Sequence, residues 1–216
     1  MDPKYILFDL DGTLTDPKEG ITKSVAYALA QYGIIEDPDN LTRFIGPPLH
    51  IAMHDWYGFD EEKAFEAVGH YRVYFSQKGI FENAVFDGVP EMLEKLKSKG
   101  KIISLCTSKP EIYARQILEH FDLIKYFDHI CGATMDGTRS MKTDVVTYAV
   151  ETCGITDKSE AVMVGDRHHD IEGGKANGLP TVGVLFGYGS REELAEAGAN
   201  MLASTVSELY DILKGE

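Results

Sequence analysis

Two carboxylates separated by one residue follow a short apolar run near the start of the chain, in Ile6-Leu7-Phe8-Asp9-Leu10-Asp11-Gly12-Thr13. Side chains two apart on a continuing strand share a face, so Asp9 and Asp11 are expected to address one small volume. Two anions there repel unless a cation or a shared proton compensates. A hard divalent cation with oxygen ligands, such as Mg2+, suits such a pair. Gly12 lets the backbone turn sharply behind it. Taken alone, an Asp-x-Asp-Gly string reads equally well as a turn.

Three distant segments shift that balance. One apolar run ends Leu105-Cys106-Thr107-Ser108-Lys109, and another ends Met163-Val164-Gly165-Asp166 before Arg167-His168-His169-Asp170. Between them, Lys142 opens a helical pattern after the turn-rich run 136–140. Asp9 to Thr107 is 98 residues, Thr107 to Lys142 a further 35, and Lys142 to Asp166 a further 24. Each has an ordinary explanation: Thr107 as a capping hydroxyl, Lys142 as a solvated charge, Asp166 and Asp170 as a loop and helix start. Their joint placement at one end of one sheet is much harder to attribute to chance.

The elements that must position these groups alternate along the chain. Short runs at 4–8, 101–106, 129–132, 161–164 and 181–185 read as strands buried on both faces. Helical patterns lie at 89–99, 110–120, 142–153, 170–177, 191–197 and 206–213, the last with Ser204 or Thr205 as N-cap. Gly100 and Gly178 stand where helix C-terminal glycines belong. This alternation predicts an α/β fold with a doubly wound parallel sheet, whose ligands bind beyond the carboxyl ends of the strands. Residues 20–79 break the alternation. Patterns at 21–32, 49–57 and 61–77 are helical, with Gly46-Pro47-Pro48 as a rigid kink between them. They predict an all-helical domain over 16–84, inserted into an α/β core of 1–15 and 85–216.

The composition narrows the function classes. Lys plus Arg number 21 and Asp plus Glu 35, a formal charge of −14. This argues against a nucleic-acid polymer as partner. No run of 18 apolar residues predicts a membrane span, and the N-terminal residues do not read as a signal peptide. Cys106, Cys131 and Cys153 are odd in number and widely spaced, which fits core thiols in a reducing, cytoplasmic compartment. Cys106 alternates with Thr107 and is expected on the opposite face. His168 and His169 are adjacent on a helix, where side chains diverge by about 100°, so they are not expected to share one ion. Among Trp56, Tyr57, Phe59, Phe65, Tyr71, Tyr74 and Phe75, helical spacing favours core over a stacking surface. No Gly-rich nucleotide-cofactor loop occurs.

The chain resembles the haloacid dehalogenase superfamily, in its phosphoglycolate phosphatase-like branch. FDLDGTLTD is similar to the family's first motif, Thr107 in LCTSKP to the second, Lys142 in RSMKTDVV to the third, and GDRHHD to the acidic fourth. The resemblance extends over nearly the whole chain and includes Gly46-Pro47-Pro48-Leu49 and Gly187-Tyr188-Gly189-Ser190. It implies phosphoryl transfer through an aspartyl-phosphate on Asp9, with Asp11 as general acid and then base. It implies Mg2+ held by Asp9, the backbone carbonyl of Asp11, and Asp166, with Asp170 orienting that shell. Lys142, Thr107 and backbone groups near Ser108 and Leu10 would bind the phosphate. The helical domain would be a cap that covers the site and carries selectivity, with Lys23, Arg43 and Gly46 as candidate contacts. The implied substrate is a small phosphorylated metabolite, phosphoglycolate by default. A nucleoside 5′-monophosphate is the alternative, with phosphotyrosine-type side activity, and a sugar-phosphate mutase is a further one. A receiver domain is a rival from a different class, but lacks a helical insertion after its first acidic strand. A monomer or weak homodimer is expected.

Overall fold

The structure, a computed structural model, describes residues 1–215. The chain divides into two compact units, one of Met1–Thr15 with Val85–Glu216 and one of Asp16–Ala84. The first is built on strands β1 (Tyr5–Phe8), β4 (Ile102–Pro110), β5 (His129–Ala133), β6 (Ala161–Gly165), β7 (Thr181–Val184) and β8 (Met201–Ala203). They form one six-stranded sheet in the order β5-β4-β1-β6-β7-β8. The paired strands run parallel throughout. Helices α4 (Val89–Ser98), α5 (Glu111–His120), α6 (Lys142–Thr152), α7 (His168–Ala176) and α8 (Arg191–Glu196) lie between them along the chain, and α9 (Val206–Leu213) follows the last strand. From β1 the chain steps outward through β4 to β5, then returns to β6 on the other side of β1. The strand order therefore reverses between β1 and β6, which is where an open parallel sheet makes its ligand crevice.

The central strands are apolar because both faces are covered. Ile6, Leu7, Phe8, Val162, Met163 and Val164 are wholly buried. Residues 181–184 are buried along their length, as a strand inside a doubly wound sheet must be. Strand β8 was not expected. It has three residues, one of them exposed, too few for any periodic signature. Helix α7 begins at His168 rather than 170, with Asp170 Oδ2 accepting the backbone N–H of Arg167 at 3.0 Å. Thr205 caps α9, its hydroxyl accepting from Glu208 N–H at 3.1 Å.

The second unit contains α1 (Lys18–Ala30), a 3-10 segment (Pro38–Phe44), α2 (Leu49–Tyr57), α3 (Glu61–Tyr74) and a π turn (Phe75–Gly79). Two short strands, β2 (Thr15–Asp16) and β3 (Ala84–Val85), pair where the chain leaves and re-enters the first unit. Val25, Leu29, Leu41, Phe44, Met53 and Phe75 form its core. Helix α1 packs on the π turn so tightly that a methyl group on Gly20 would sit 1.9 Å from the Gly79 carbonyl oxygen. The aromatic residues divide: Phe59, Tyr71 and Phe75 are buried, whereas Trp56 and Phe65 are exposed. No helix among the described residues is long and apolar enough to cross a membrane.

Candidate active site

The site is built from the ends of three strands of the first unit, β1, β4 and β6, and from the first residue of α6. Strand β1 stops at Phe8, so Asp9 and Asp11 do not lie on a continuing strand. They sit in a tight loop whose N–H groups at Leu14 and Thr15 both donate to Leu10 C=O, at 2.9 and 3.0 Å. Gly12 closes it with φ +84°, and a Cβ there would lie 2.2 Å from Asp166 Oδ2. Both carboxylates are buried, and each has its own ammonium. Lys142 Nζ lies 2.6 Å from Asp9 Oδ1 and 2.6 Å from Asp170 Oδ1, and donates to Cys106 C=O at 3.1 Å. Lys109 Nζ spans Asp11, 2.9 Å from Oδ1 and 2.7 Å from Oδ2.

Lys109 reaches Asp11 because β4 is irregular at its end. Thr107 pairs with Gly132, but the next partner of β5 is Pro110, a bulge that takes Ser108 and Lys109 out of the ladder. Thr107 is buried, and its hydroxyl oxygen accepts Lys109 N–H at 3.2 Å. Ser108 is half-buried beside it. Beyond β6, Asp166 is wholly buried. Its Oδ1 accepts from the Thr13 hydroxyl at 3.3 Å and its Oδ2 from Tyr188 N–H at 2.8 Å. Carboxylate oxygens of Asp9, Asp166 and Asp170 lie within 4.8 Å of one another.

This acid and lysine arrangement stands at the strand reversal, and the model of the haloacid dehalogenase-like hydrolases matches residues 6–184. The chain belongs to that family. A 5′-nucleotidase of Pseudomonas aeruginosa is 44% identical to it, over 97% of this chain and 95% of its own length. The tyrosine-protein kinase PtkA of Mycobacterium tuberculosis is 38% identical, over 98% of this chain and 72% of its own. Among solved structures, a predicted phosphatase from Clostridium acetobutylicum superposes with a TM-score of 0.96 at 48% identity, over 98% of both chains. Family and neighbours place this protein among the phosphatase-type hydrolases.

In this hydrolase the cluster carries an excess of negative charge. Four buried carboxylates, Asp9, Asp11, Asp166 and Asp170, face two buried ammoniums, Lys109 and Lys142. Burial pushes Asp9 above the usual carboxylate range against the pull of Lys142. Burial likewise raises Asp11 against Lys109. Asp166 is raised well above that range, by burial and by the charges of Asp170 and Asp9. Burial would lower Lys142, but the Asp170 and Asp9 carboxylates outweigh it and keep its ammonium protonated. With all four carboxyls ionised the formal imbalance is two, and the carboxylate donors of Asp9, Asp166 and Asp170 are all oxygen. That set fits one hard divalent cation.

Several residues of the site escaped the sequence reading. Lys109 is buried opposite Asp11, although its neighbours Thr107 and Ser108 alone were singled out. No local pattern marks it, because the bulge in β4 rather than the strand period sets its direction. Thr13 and the Tyr188 N–H clamp Asp166. Gly165 is needed because a Cβ would lie 2.1 Å from Asp170 Cγ, and Gly187 because one would lie 2.5 Å from Asp166 Cβ. Cys106 is buried in the core with Cys131, and burial pushes its thiol up, so it is no nucleophile.

The expectation that His168 and His169 diverge does not hold. Their ring centroids are 3.8 Å apart, and with Glu172 they bring donor atoms within 4.8 Å of one another. Helical side chains lean toward the N-terminus, and in a first turn no preceding turn occupies that space. The helical unit holds the remaining candidates. Lys23 Nζ is paired with Glu19 at 2.5 Å and Glu82 at 3.0 Å. The Arg43 guanidinium lies 4.8 Å from the Trp56 ring centre and donates to Tyr57 Oη at 3.3 Å. Gly46 has φ +110°.

Proposed function

We propose that this protein is a Mg2+-dependent phosphomonoesterase that works through an aspartyl-phosphate on Asp9. The observation that carries the reading is the meeting of Asp9, Asp11, Asp166, Asp170, Lys109 and Lys142 in one buried cluster at the strand reversal. A carboxylate oxygen of Asp9 attacks phosphorus, and the bond from phosphorus to the leaving oxygen breaks. Asp11 gives its proton to that oxygen. Its burial favours the protonated form this step needs. Water then attacks the phosphorus of the intermediate and passes its proton to Asp11, releasing phosphate and restoring Asp9. Lys142 holds Asp9 in line and offsets charge on the transferring group, while Thr107 donates to a phosphate oxygen. Lys109 keeps Asp11 in register between its two proton transfers. Mg2+, held by Asp9 and Asp166 with Asp170 beside them, would supply the positive charge that lets an anionic nucleophile approach an anionic ester.

For the substrate we favour a nucleoside 5′-monophosphate over phosphoglycolate. The 44% identical relative is a 5′-nucleotidase. Phosphoglycolate carries a carboxylate besides its phosphate, and recognising it calls for a further cation. In the helical unit, Lys23 is already neutralised by two carboxylates. The cavity of about 500 Å3 in that unit is lined by five acidic side chains and two lysines.

The test is phosphate release from a panel of 5′-nucleotides, phosphoglycolate, sugar phosphates and phosphotyrosine, with Mg2+ and with EDTA. We expect turnover that EDTA abolishes and Mg2+ restores, highest on a 5′-nucleotide. Equal turnover in EDTA would remove the metal from the mechanism, and a clear preference for phosphoglycolate would reverse the substrate reading. Bisphosphate-dependent isomerisation without phosphate release would make the protein a mutase.

A further inference from the structure

The first turn of α7 carries a second set of metal-ligating side chains, distinct in chemistry from the oxygen cluster. His168 and His169 are half-buried and Glu172 is exposed. One donor atom from each lies within 4.8 Å of the other two. Glu172 is four residues beyond His168, the helical spacing that sets side chains on one face.

The orientation of His168 adds an independent observation. Its Nδ1 lies 2.9 Å from Glu193 Oε1. The same oxygen accepts from the backbone N–H of His168 at 2.9 Å and from Arg167 Nε at 2.9 Å. An oxygen taking two other donors is an acceptor, so the ring nitrogen facing it must donate. In the neutral imidazole that leaves Nε2 with the lone pair. A carboxylate that fixes the tautomer and aim of a histidine is the arrangement that supports metal-ligating histidines. Two imidazoles and one carboxylate, open on the solvent side to water, make a donor set for a borderline cation of the Zn2+ class. An all-oxygen set, as around Asp166, favours Mg2+ instead.

We propose that His168, His169 and Glu172 form a binding site for a Zn2+-class cation, with Glu193 as the residue that positions His168. Ligation there grips the helical turn that also presents Asp170 to Lys142. The site is independent of the phosphatase reading and of the substrate.

The experiment is a Co2+ titration of the full chain in excess Mg2+, followed by visible d–d absorption, with Zn2+ displacement of the signal. It is repeated in an Asp166→Asn background, which impairs the oxygen cluster. We expect a Co2+ band of nitrogen-ligated character in both proteins, displaced by Zn2+. His168→Ala and His169→Ala should abolish it. Glu172→Gln, at an exposed position where folding is not at stake, should weaken it at least about 10-fold, and Glu193→Gln about 10- to 100-fold. The proposal is overturned by a band that persists unchanged in Glu172→Gln and His168→Ala, by its loss in Asp166→Asn, or by no band in the natural sequence.

Discussion

Replacing Lys109 by Met removes the ammonium opposite Asp11 while keeping much of the side-chain volume. The two side chains are 5% and 11% exposed and meet through both carboxylate oxygens, at 2.9 and 2.7 Å. Breaking a buried pair from one side costs about 3–5 kcal/mol, because it strands the remaining charge. Asp11 has a way to escape that cost, since it can take up a proton. Burial already raises it, and the neighbouring Asp9 charge adds to that, with Lys109 holding it back. Without Lys109 it rises further. A carboxyl raised in the folded state binds more protons there than when unfolded, so its stability deficit shrinks as pH falls. The Lys109→Met deficit should therefore be near its full size at neutral pH and shrink in mildly acidic buffer. Urea unfolding of metal-free protein at the two pH values measures this. The double variant Lys109→Met with Asp11→Asn should recover at least about 2 kcal/mol of the single-variant loss, since no charge is then stranded. Activity of Lys109→Met should fall with an altered pH–rate profile. A Lys109→Met protein with unchanged stability at both pH values and an unchanged pH profile would refute the reasoning.

Asp9→Asn should lower turnover on the order of 10^4-fold or more. It should leave metal-free melting unchanged or higher, because burial in the fold already disfavours the charge on this side chain; thermal unfolding and phosphate release check both. Gly165→Ala should displace Asp170, since the new methyl would lie 2.1 Å from its Cγ, costing about 1–3 kcal/mol and most of the activity. Glu193, burial notwithstanding, is drawn down from 4.5 to about 2 by the N–H groups of His168 and Arg167. Its contribution is full above 4.5 and is lost as pH falls toward 2. Glu193→Gln should thus cost about 1 kcal/mol at neutral pH, a figure reduced for its partial exposure, with the gap narrowing in acid urea titrations.

The sheet and the principal acids were legible in the chain itself. Strands buried on both faces need continuous apolar runs, and five of the six carried them plainly enough to locate. Strand β8, at Met201–Ala203, did not, because three residues on a partly exposed edge carry no period. Asp9, Asp166 and Lys142 could be singled out because each stands at the end of such a run or the start of a helical one. That marks a crevice residue before any distance is known.

Other features were decided by the fold. Lys109 meets Asp11 because a bulge in β4 turns it out of the ladder, and nothing local in the sequence announces a bulge. Gly12 reads as a turn and Gly165 as the end of a strand, yet their role, like that of Gly187, is to leave room for Asp166 and Asp170, which is a matter of contact between distant segments. The approach of His168 to His169 depends on where α7 begins and on Glu193 drawing one ring aside, neither of which follows from adjacency. A sequence states which groups a chain possesses and how its apolar surface recurs. Which oxygen faces which ammonium is set by side-chain packing between residues far apart in the chain, and that exists only once the segments have closed on one another.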